Sequence, residues 1–345
     1  MTRTALSPPL RPRALAPGDL VVIASLSGPL HSEYEPDLER SVTVLERMGF
    51  RVRRAPLLEA GRRHWWHAAP PAEIAAEFNA LLRDPEVRAV IAHDGGAAAL
   101  GYLDLIDVDA IAADPKPILG YSDISLLHLV LHSRTGLVGF HADLATPGLG
   151  GAWQTAPEAR RAELEKLYST LLTSTEPIGA LPASPTWECW RAGRAEGVLI
   201  GGLLNRIALT QATRYALPLE RFDGAVLFWE EMGSQAAHVW SYLQVLRHSG
   251  ILDRISGMVV GVPREIHGLG GHDASPGASP TLPELVLDVL GDRDIPVLGN
   301  VEFGHAGPNL PMPVGIRVAL DARQRSLSLL EPAVRTAQGE TAPRP

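Results

Sequence analysis

Three positions carry residue types suited to acyl transfer. Ser122 lies in Gly120-Tyr121-Ser122-Asp123-Ile124, between a short apolar run and a helical stretch. A serine at a strand-to-helix turn is presented at the carboxyl edge of a sheet. The first turn of the helix then offers unsatisfied backbone N–H groups, that of Asp123 among them, to a developing oxyanion. The segment lacks the second glycine of a G-x-S-x-G elbow, and a helix cap by Ser122 or Asp123 accounts for the same residues locally. Glu230, in Trp229-Glu230-Glu231, ends the apolar run 225–228. A carboxylate at the mouth of a buried strand can orient a histidine; a solvated acid pair opening a loop is the plainer reading. His305 sits in Phe303-Gly304-His305-Ala306-Gly307-Pro308-Asn309, where flanking glycines let a substrate come close. His141, at the end of another strand, is a rival base.

Other chemistries find less support. Cys189 is the single cysteine, which excludes an internal disulfide and any multi-cysteine metal site. No Cys/His signature surrounds it, so neither a thiol nucleophile nor an amidotransferase-like hydrolase is expected. His267, His272 and Asp273 lie in a glycine-rich loop, but their spacing fits no familiar ligand set and no metal is expected. The chain has no Walker-type phosphate loop and no H-E-x-x-H. Gly148–Gly151 and Gly268–Gly271 follow no clear strand, so a dinucleotide site is unsupported.

The elements that must position these residues follow from the apolar pattern. Residues 20–24, 89–92, 117–120 and 137–141 read as buried strands, and 50–52 as a short one. Between them, Leu38, Val42, Leu45 and Met48 repeat at helical spacing, as do Ile74, Phe78 and Leu81, and a helix is expected over 124–132. Strands alternating with helices imply a parallel sheet covered on both faces. The pattern breaks over 148–192, read as a linker with a polar helical stretch near 158–172. A second unit, 193–333, has candidate strands at 197–200, 225–229, 257–262, 297–300, 316–320 and 326–330, and helices at 203–213, 235–248 and 282–290. The expected organisation is therefore a tail (1–16), an N-terminal α/β domain (17–147), the linker, a smaller C-terminal mixed α/β domain and a second tail (334–345).

Length and composition bound the partners. The chain has 345 residues, 46% hydrophobic and 20% charged, enough for two cores. A net charge of −8 argues against a nucleic-acid binder. No apolar run reaches membrane-spanning length and no signal-peptide core opens the chain, so a cytoplasmic protein without membrane contact is expected.

Taken together and in order, several stretches resemble the LD-carboxypeptidase family of serine peptidases, which includes the microcin C immunity peptidases. They are Pro17-Gly18-Asp19-Leu20-Val21-Val22-Ile23-Ala24, His93-Asp94-Gly95-Gly96, Gly120-Tyr121-Ser122-Asp123-Ile124-Ser125, Gly197-Val198-Leu199-Ile200-Gly201-Gly202, Leu227-Phe228-Trp229-Glu230-Glu231 and Gly304-His305-Ala306-Gly307-Pro308-Asn309-Leu310-Pro311. The likeness spans about residues 17–333. It implies a Ser122–His305–Glu230 triad at a domain interface, with backbone N–H groups of Asp123, Gly95 and Gly96 facing the oxyanion. It also implies a homodimer and no cofactor. Many tetrapeptide-cleaving members read Arg-Gly-Gly-Tyr-Gly where this chain reads Asp94-Gly95-Gly96-Ala97-Ala98, and the family's Gly-Gly-Asn-Leu appears as Gly201-Gly202-Leu203-Leu204. The implied substrate is a murein-type L,D-peptide, or an aminoacyl- or peptidyl-nucleotide in the immunity branch, towards which these departures lean. A two-lobed protein that binds a small ligand without turnover is the competing class. Trp187 and Trp190 could stack on a substrate ring, with core packing the plainer role.

Overall fold

A computed structural model describes residues 9–270 and 279–336. The apolar runs of the first half become β1 (Leu20–Ala24), β2 (Arg51–Arg54), β3 (Val87–Ala92), β4 (Ile118–Leu119) and β5 (Gly139–His141). They alternate with α1 (Glu35–Arg47), α2 (Pro71–Arg83), α3 (Val108–Ala113) and α4 (Ile124–Thr135). All neighbouring pairs among these strands are parallel, as the strand–helix alternation requires. Helix α4 is apolar all round rather than on one stripe, and every residue from Ile124 to His132 is buried. It is the helix that the Ser122 turn opens, and it sits between the two halves of the molecule.

The chain continues through a π-helical turn (Ala145–Ala152), α5 (Trp153–Thr155), α6 (Glu158–Thr173), β6 (Gly179–Ala180), β7 (Glu188–Arg191), β8 (Arg194–Leu203) and α7 (Leu204–Thr210). Next come β9 (Val226–Glu230), α8 (Ala236–His248), β10 (Gly257–Gly261), α9 (Leu282–Leu290), β11 (Val297–Val301), β12 (Met312–Val314), β13 (Arg317–Asp321) and β14 (Ser326–Leu329). The second sheet has the order β6-β14-β13-β8-β9-β10-β11-β7, parallel from β8 to β11 and antiparallel on either side.

Two departures from the sequence reading position the site. First, β12 leaves the second half and pairs antiparallel with β5, so the first sheet runs β12-β5-β4-β3-β1-β2 and is not purely parallel. Residues 302–311 therefore cross from one sheet to the other, carrying His305 over the gap. Second, the stretch 148–192 is not a bare connection. Trp153, Leu164, Leu167, Tyr168, Leu171 and Leu172 are buried in a core that also takes residues of both sheets, from Val21 and Ile91 to Leu199 and Phe228. A core shared by both sheets holds them at a fixed separation, unlike the polar interfaces across which domains slide.

Residues 9–16 are docked rather than loose. Leu10 exchanges backbone bonds with Gly136 and Val138, at 2.8 and 3.0 Å, and Leu15 N–H donates to Leu172 O at 2.8 Å. Backbone pairing here needs no apolar pattern, which is why the proline- and arginine-rich sequence hid it. Val334 and Arg335 are likewise held, the latter by its N–H to Pro12 O at 2.9 Å.

Candidate active site

Ser122 follows β4 near the middle of the first sheet. Its φ is +63°, a left-handed conformation that costs a non-glycine residue about 1–2 kcal/mol. Such a bend is what lifts a serine off the strand end. Glycine is required beside it: a Cβ added at Gly95, in the loop after β3, would sit 2.8 Å from both Cβ and Oγ of Ser122. The paired-glycine loop therefore lies directly on the hydroxyl. The Gly95 N–H itself is committed to Asp94 Oδ1 at 2.7 Å, so Gly95 supplies room rather than a free donor. The N–H groups of Gly96 and Asp123 have no protein acceptor among the described residues.

The local cap reading does not hold. Asp123 makes no side-chain cap bond to α4. Its buried carboxylate instead accepts from Ser27 Oγ at 2.7 Å and from the N–H groups of Ala98 and Ala99, both at 2.8 Å, on one oxygen. The other oxygen accepts Arg206 Nε at 3.0 Å. Arg206, on α7 of the second half, also donates to Gly96 O at 3.0 Å. One guanidinium thus ties the Ser122 turn and the glycine loop to the opposite lobe, in the bidentate manner arginine suits. Nearby, Ser125 Oγ accepts Leu203 N–H at 3.0 Å. Gly202 packs so closely on Ser125 that an added Cβ would lie 2.7 Å from its Cβ.

Glu230 ends β9 fully buried, not as part of a solvated acid pair. Its Oε2 accepts from His305 Nδ1 at 2.8 Å, and Oε1 has no partner among the described residues. Two glycines make this contact possible. A Cβ on Gly304 (φ +86°) would lie 2.3 Å from Glu230 Cγ, and one on Gly261 2.8 Å from Glu230 Cβ. The His305 ring stands edge-on to Tyr121, the residue before Ser122, with centroids 4.9 Å apart. The Nδ1–Glu230 bond fixes the ring with Nε2 free. Asp143, just past β5, steadies the crossing segment: its oxygens accept Asn309 N–H at 3.0 Å, Asn309 Nδ2 at 2.6 Å and Trp153 Nε1 at 2.6 Å. Burial pushes its carboxyl up to about 6 against these donors.

His141 is enclosed under Tyr121, edge-on to Phe228 and Phe303, and burial holds its imidazole well below the ordinary range. A ring sealed there is packing, not a base open to substrate. Trp187 is buried with its Nε1 on Glu302, and Trp190 covers Gly299, so both act in packing. Cys189 is exposed on β7. His272 and Asp273 lie outside the described residues, and among those described no cluster of three metal-ligating side chains occurs.

Glu231 parts company with its neighbour. It accepts Asn205 N–H at 2.9 Å and Asn205 Nδ2 at 2.8 Å. Burial pushes its carboxyl up to about 7, with the charge of Glu230 adding to the effect and the Asn205 and Met232 N–H groups opposing it. The folded chain therefore holds this proton more tightly than the unfolded chain, where glutamate titrates near 4.5. That contribution is complete below the unfolded value and is lost as pH rises through the folded one. Glu231→Gln is expected to flatten the decline of Tm between about pH 5 and about pH 8 by a few degrees. Parallel thermal scans check this, and an unchanged slope refutes it.

Comparison with known proteins identifies the family. The LD-carboxypeptidase N-terminal domain matches residues 21–142 and the C-terminal domain residues 196–320. A Streptomyces coelicolor protein named as a carboxypeptidase is 31% identical over 94% of this chain and 97% of its own length. The microcin C7 self-immunity protein MccF of Escherichia coli is 27% identical, with 94% and 97% covered. The murein tetrapeptide carboxypeptidase of Pseudomonas aeruginosa is 25% identical, with 70% and 74% covered. The solved structure of MccF with glutamyl sulfamoyl guanosine superposes with a TM-score of 0.82 at 24% identity, covering 95% of this chain and all of that one, and so shares the fold. With both domains matched in order, the chain belongs to the LD-carboxypeptidase family and is a serine-type carboxypeptidase or hydrolase.

Proposed function

We propose that the protein hydrolyses an amide through Ser122, His305 and Glu230. The observation that carries this is the Glu230–His305 bond at 2.8 Å, with the imidazole standing against the residue beside a strained serine. In this reading His305 Nε2 takes the Ser122 hydroxyl proton as Oγ attacks the carbonyl carbon. The N–H groups of Asp123 and Gly96 receive the oxyanion, each such donor being worth about 2.7–4 kcal/mol of barrier. His305 passes the proton to the leaving nitrogen as the C–N bond breaks. Water, activated by the same imidazole, then releases the acyl group from Ser122. Glu230 holds the ring and stabilises its protonated form. Residues 17–147 carry the nucleophile and 193–333 the acid and base; a cytoplasmic homodimer belongs to the same reading.

The substrate is an amide of the murein L,D-peptide type; the Pseudomonas relative is named a murein tetrapeptide carboxypeptidase. A second reading, an aminoacyl- or peptidyl-nucleotide, draws support from Asp94 standing at the paired-glycine loop and from the sulfamoyl nucleosides held by MccF. Incubation with an L,D-tetrapeptide and with an aminoacyl sulfamoyl adenosine decides between them. Release of the terminal D-residue supports the first, release of the free amino acid from the nucleoside the second. A fluorophosphonate should label Ser122 in either case. Stoichiometric binding with neither turnover nor labelling refutes the hydrolase.

A further inference from the structure

Trp65 and Trp66 are 71% and 60% exposed, the most exposed large apolar side chains among the described residues. Exposed indoles side by side oppose the usual burial of such rings and mark a contact site. They occupy a two-residue turn closed by reciprocal backbone bonds between His64 and His67, at 2.8 and 2.9 Å. Trp65 holds φ +57°, rare for a bulky residue. The rings form a continuous run: His64 to Trp65 at 4.3 Å, Trp65 to Trp66 at 5.7 Å, Trp66 to His67 at 5.1 Å between centroids.

Topology brings this turn to the cleft. It belongs to the loop leaving the carboxyl end of β2, and β1 to β4 are parallel, so the loops after β1, β3 and β4 emerge at the same edge. Beyond that edge is where open α/β sheets bind ligands. β2 is two strands, about 10 Å, from β3, and the loop spans the distance. Ala68 N–H donates to Ser27 O at 3.0 Å, and His67 Nε2 lies 3.3 Å from Ala97 O, in the glycine loop that packs on Ser122. The His67 side chain is buried, and its Nδ1 has no partner among the described residues.

We propose that Trp65 and Trp66 form an aromatic subsite at the rim of the Ser122 cleft, which stacks on a flat ring carried by the substrate. The inference rests on the hydrolase reading above and narrows its substrate. The ring belongs to a nucleobase or to an aromatic amino acid; both present the same π-face, and stacking on either needs no hydrogen-bond readout.

The test uses three amides of one L-aminoacyl group: its N-acyl sulfamoyl adenosine and its amides with D-phenylalanine and D-alanine. For wild type, Trp65→Ala/Trp66→Ala and Trp65→Phe/Trp66→Phe, the ratio of kcat/KM for each ring-bearing amide over the alanine amide is measured. In the double alanine variant the ratio should fall about tenfold or more, through KM, with the phenylalanine pair retaining most of it. The arm that falls identifies the source of the ring. Equal ratios in all three proteins overturn the subsite. So does an equal loss on all three amides, which would make the turn a support for the glycine loop, or a change of oligomeric state without a change of ratio. If wild type turns over none of the amides, the hydrolase reading fails by itself. Calorimetric titration of the adenosine and phenylalanine compounds then decides the subsite: tenfold weaker binding to the double alanine variant upholds it, and equal Kd values overturn it.

Discussion

Ser122→Ala is expected to lower kcat by about a million-fold, leaving only the residual rate that oxyanion donors and binding supply. The fold should not notice. The Ser122 hydroxyl makes no hydrogen bond among the described residues, and alanine meets the same left-handed backbone at similar cost. Tm should stay within the shift of a neutral surface substitution, about 0.5 kcal/mol. The glycine at 95 adds a second expectation: it leaves open the space beside Oγ that a Cβ would fill, so removing the hydroxyl displaces no neighbour and substrate affinity is retained. Single-turnover assays, fluorophosphonate labelling and thermal unfolding read the three parts separately. Full activity, or undiminished labelling of the variant, would remove Ser122 from the chemistry.

Much of the scaffold was legible because strands covered on both faces have to be continuous apolar runs, and 20–24, 225–229 and 257–262 are such runs. What escaped were elements whose stability is borrowed. β12 is three residues long and contains Pro313, tolerated because it lies at a sheet edge beside Phe140. No period in the sequence announces such a strand, yet it decides where His305 goes. The candidate site was legible by residue type and illegible by partner. Asp123 looks like a helix cap because its true partners, Ser27, Ala98, Ala99 and Arg206, lie far along the chain. Arg206 itself is one of 31 basic residues, and nothing local distinguishes it. Glu230 is singled out from Glu231 only by the family resemblance, because residue type alone does not separate them; successive strand residues, though, point to opposite faces. The first therefore turns to His305 and the second to Asn205.

That division makes Glu230→Gln the sharpest separation of stability from function in the molecule. The wild-type carboxylate is fully buried, with one oxygen on His305 and the other unpartnered. A buried charge with so little compensation is poor for stability, and a neutral isostere removes the desolvation cost without opening a cavity. Tm is therefore expected to hold or rise. Catalysis should suffer whichever way the amide settles. With its oxygen towards Nδ1 the ring keeps its orientation, but the imidazolium loses the negative charge that stabilises it. With its nitrogen towards Nδ1 the ring must adopt the opposite tautomer, and Nε2 can no longer accept the serine proton. Loss of an orienting carboxylate of this kind lowers kcat by about 10⁴-fold. KM should change little, since Glu230 is sealed from the cleft. Steady-state kinetics beside thermal scans test both halves. Near-normal kcat would show that the imidazole needs no carboxylate. A fall in Tm that accounts for the lost activity would recast Glu230 as the anchor of the Gly304–His305 turn, where its Oε2 also lies 3.4 Å from the His305 N–H.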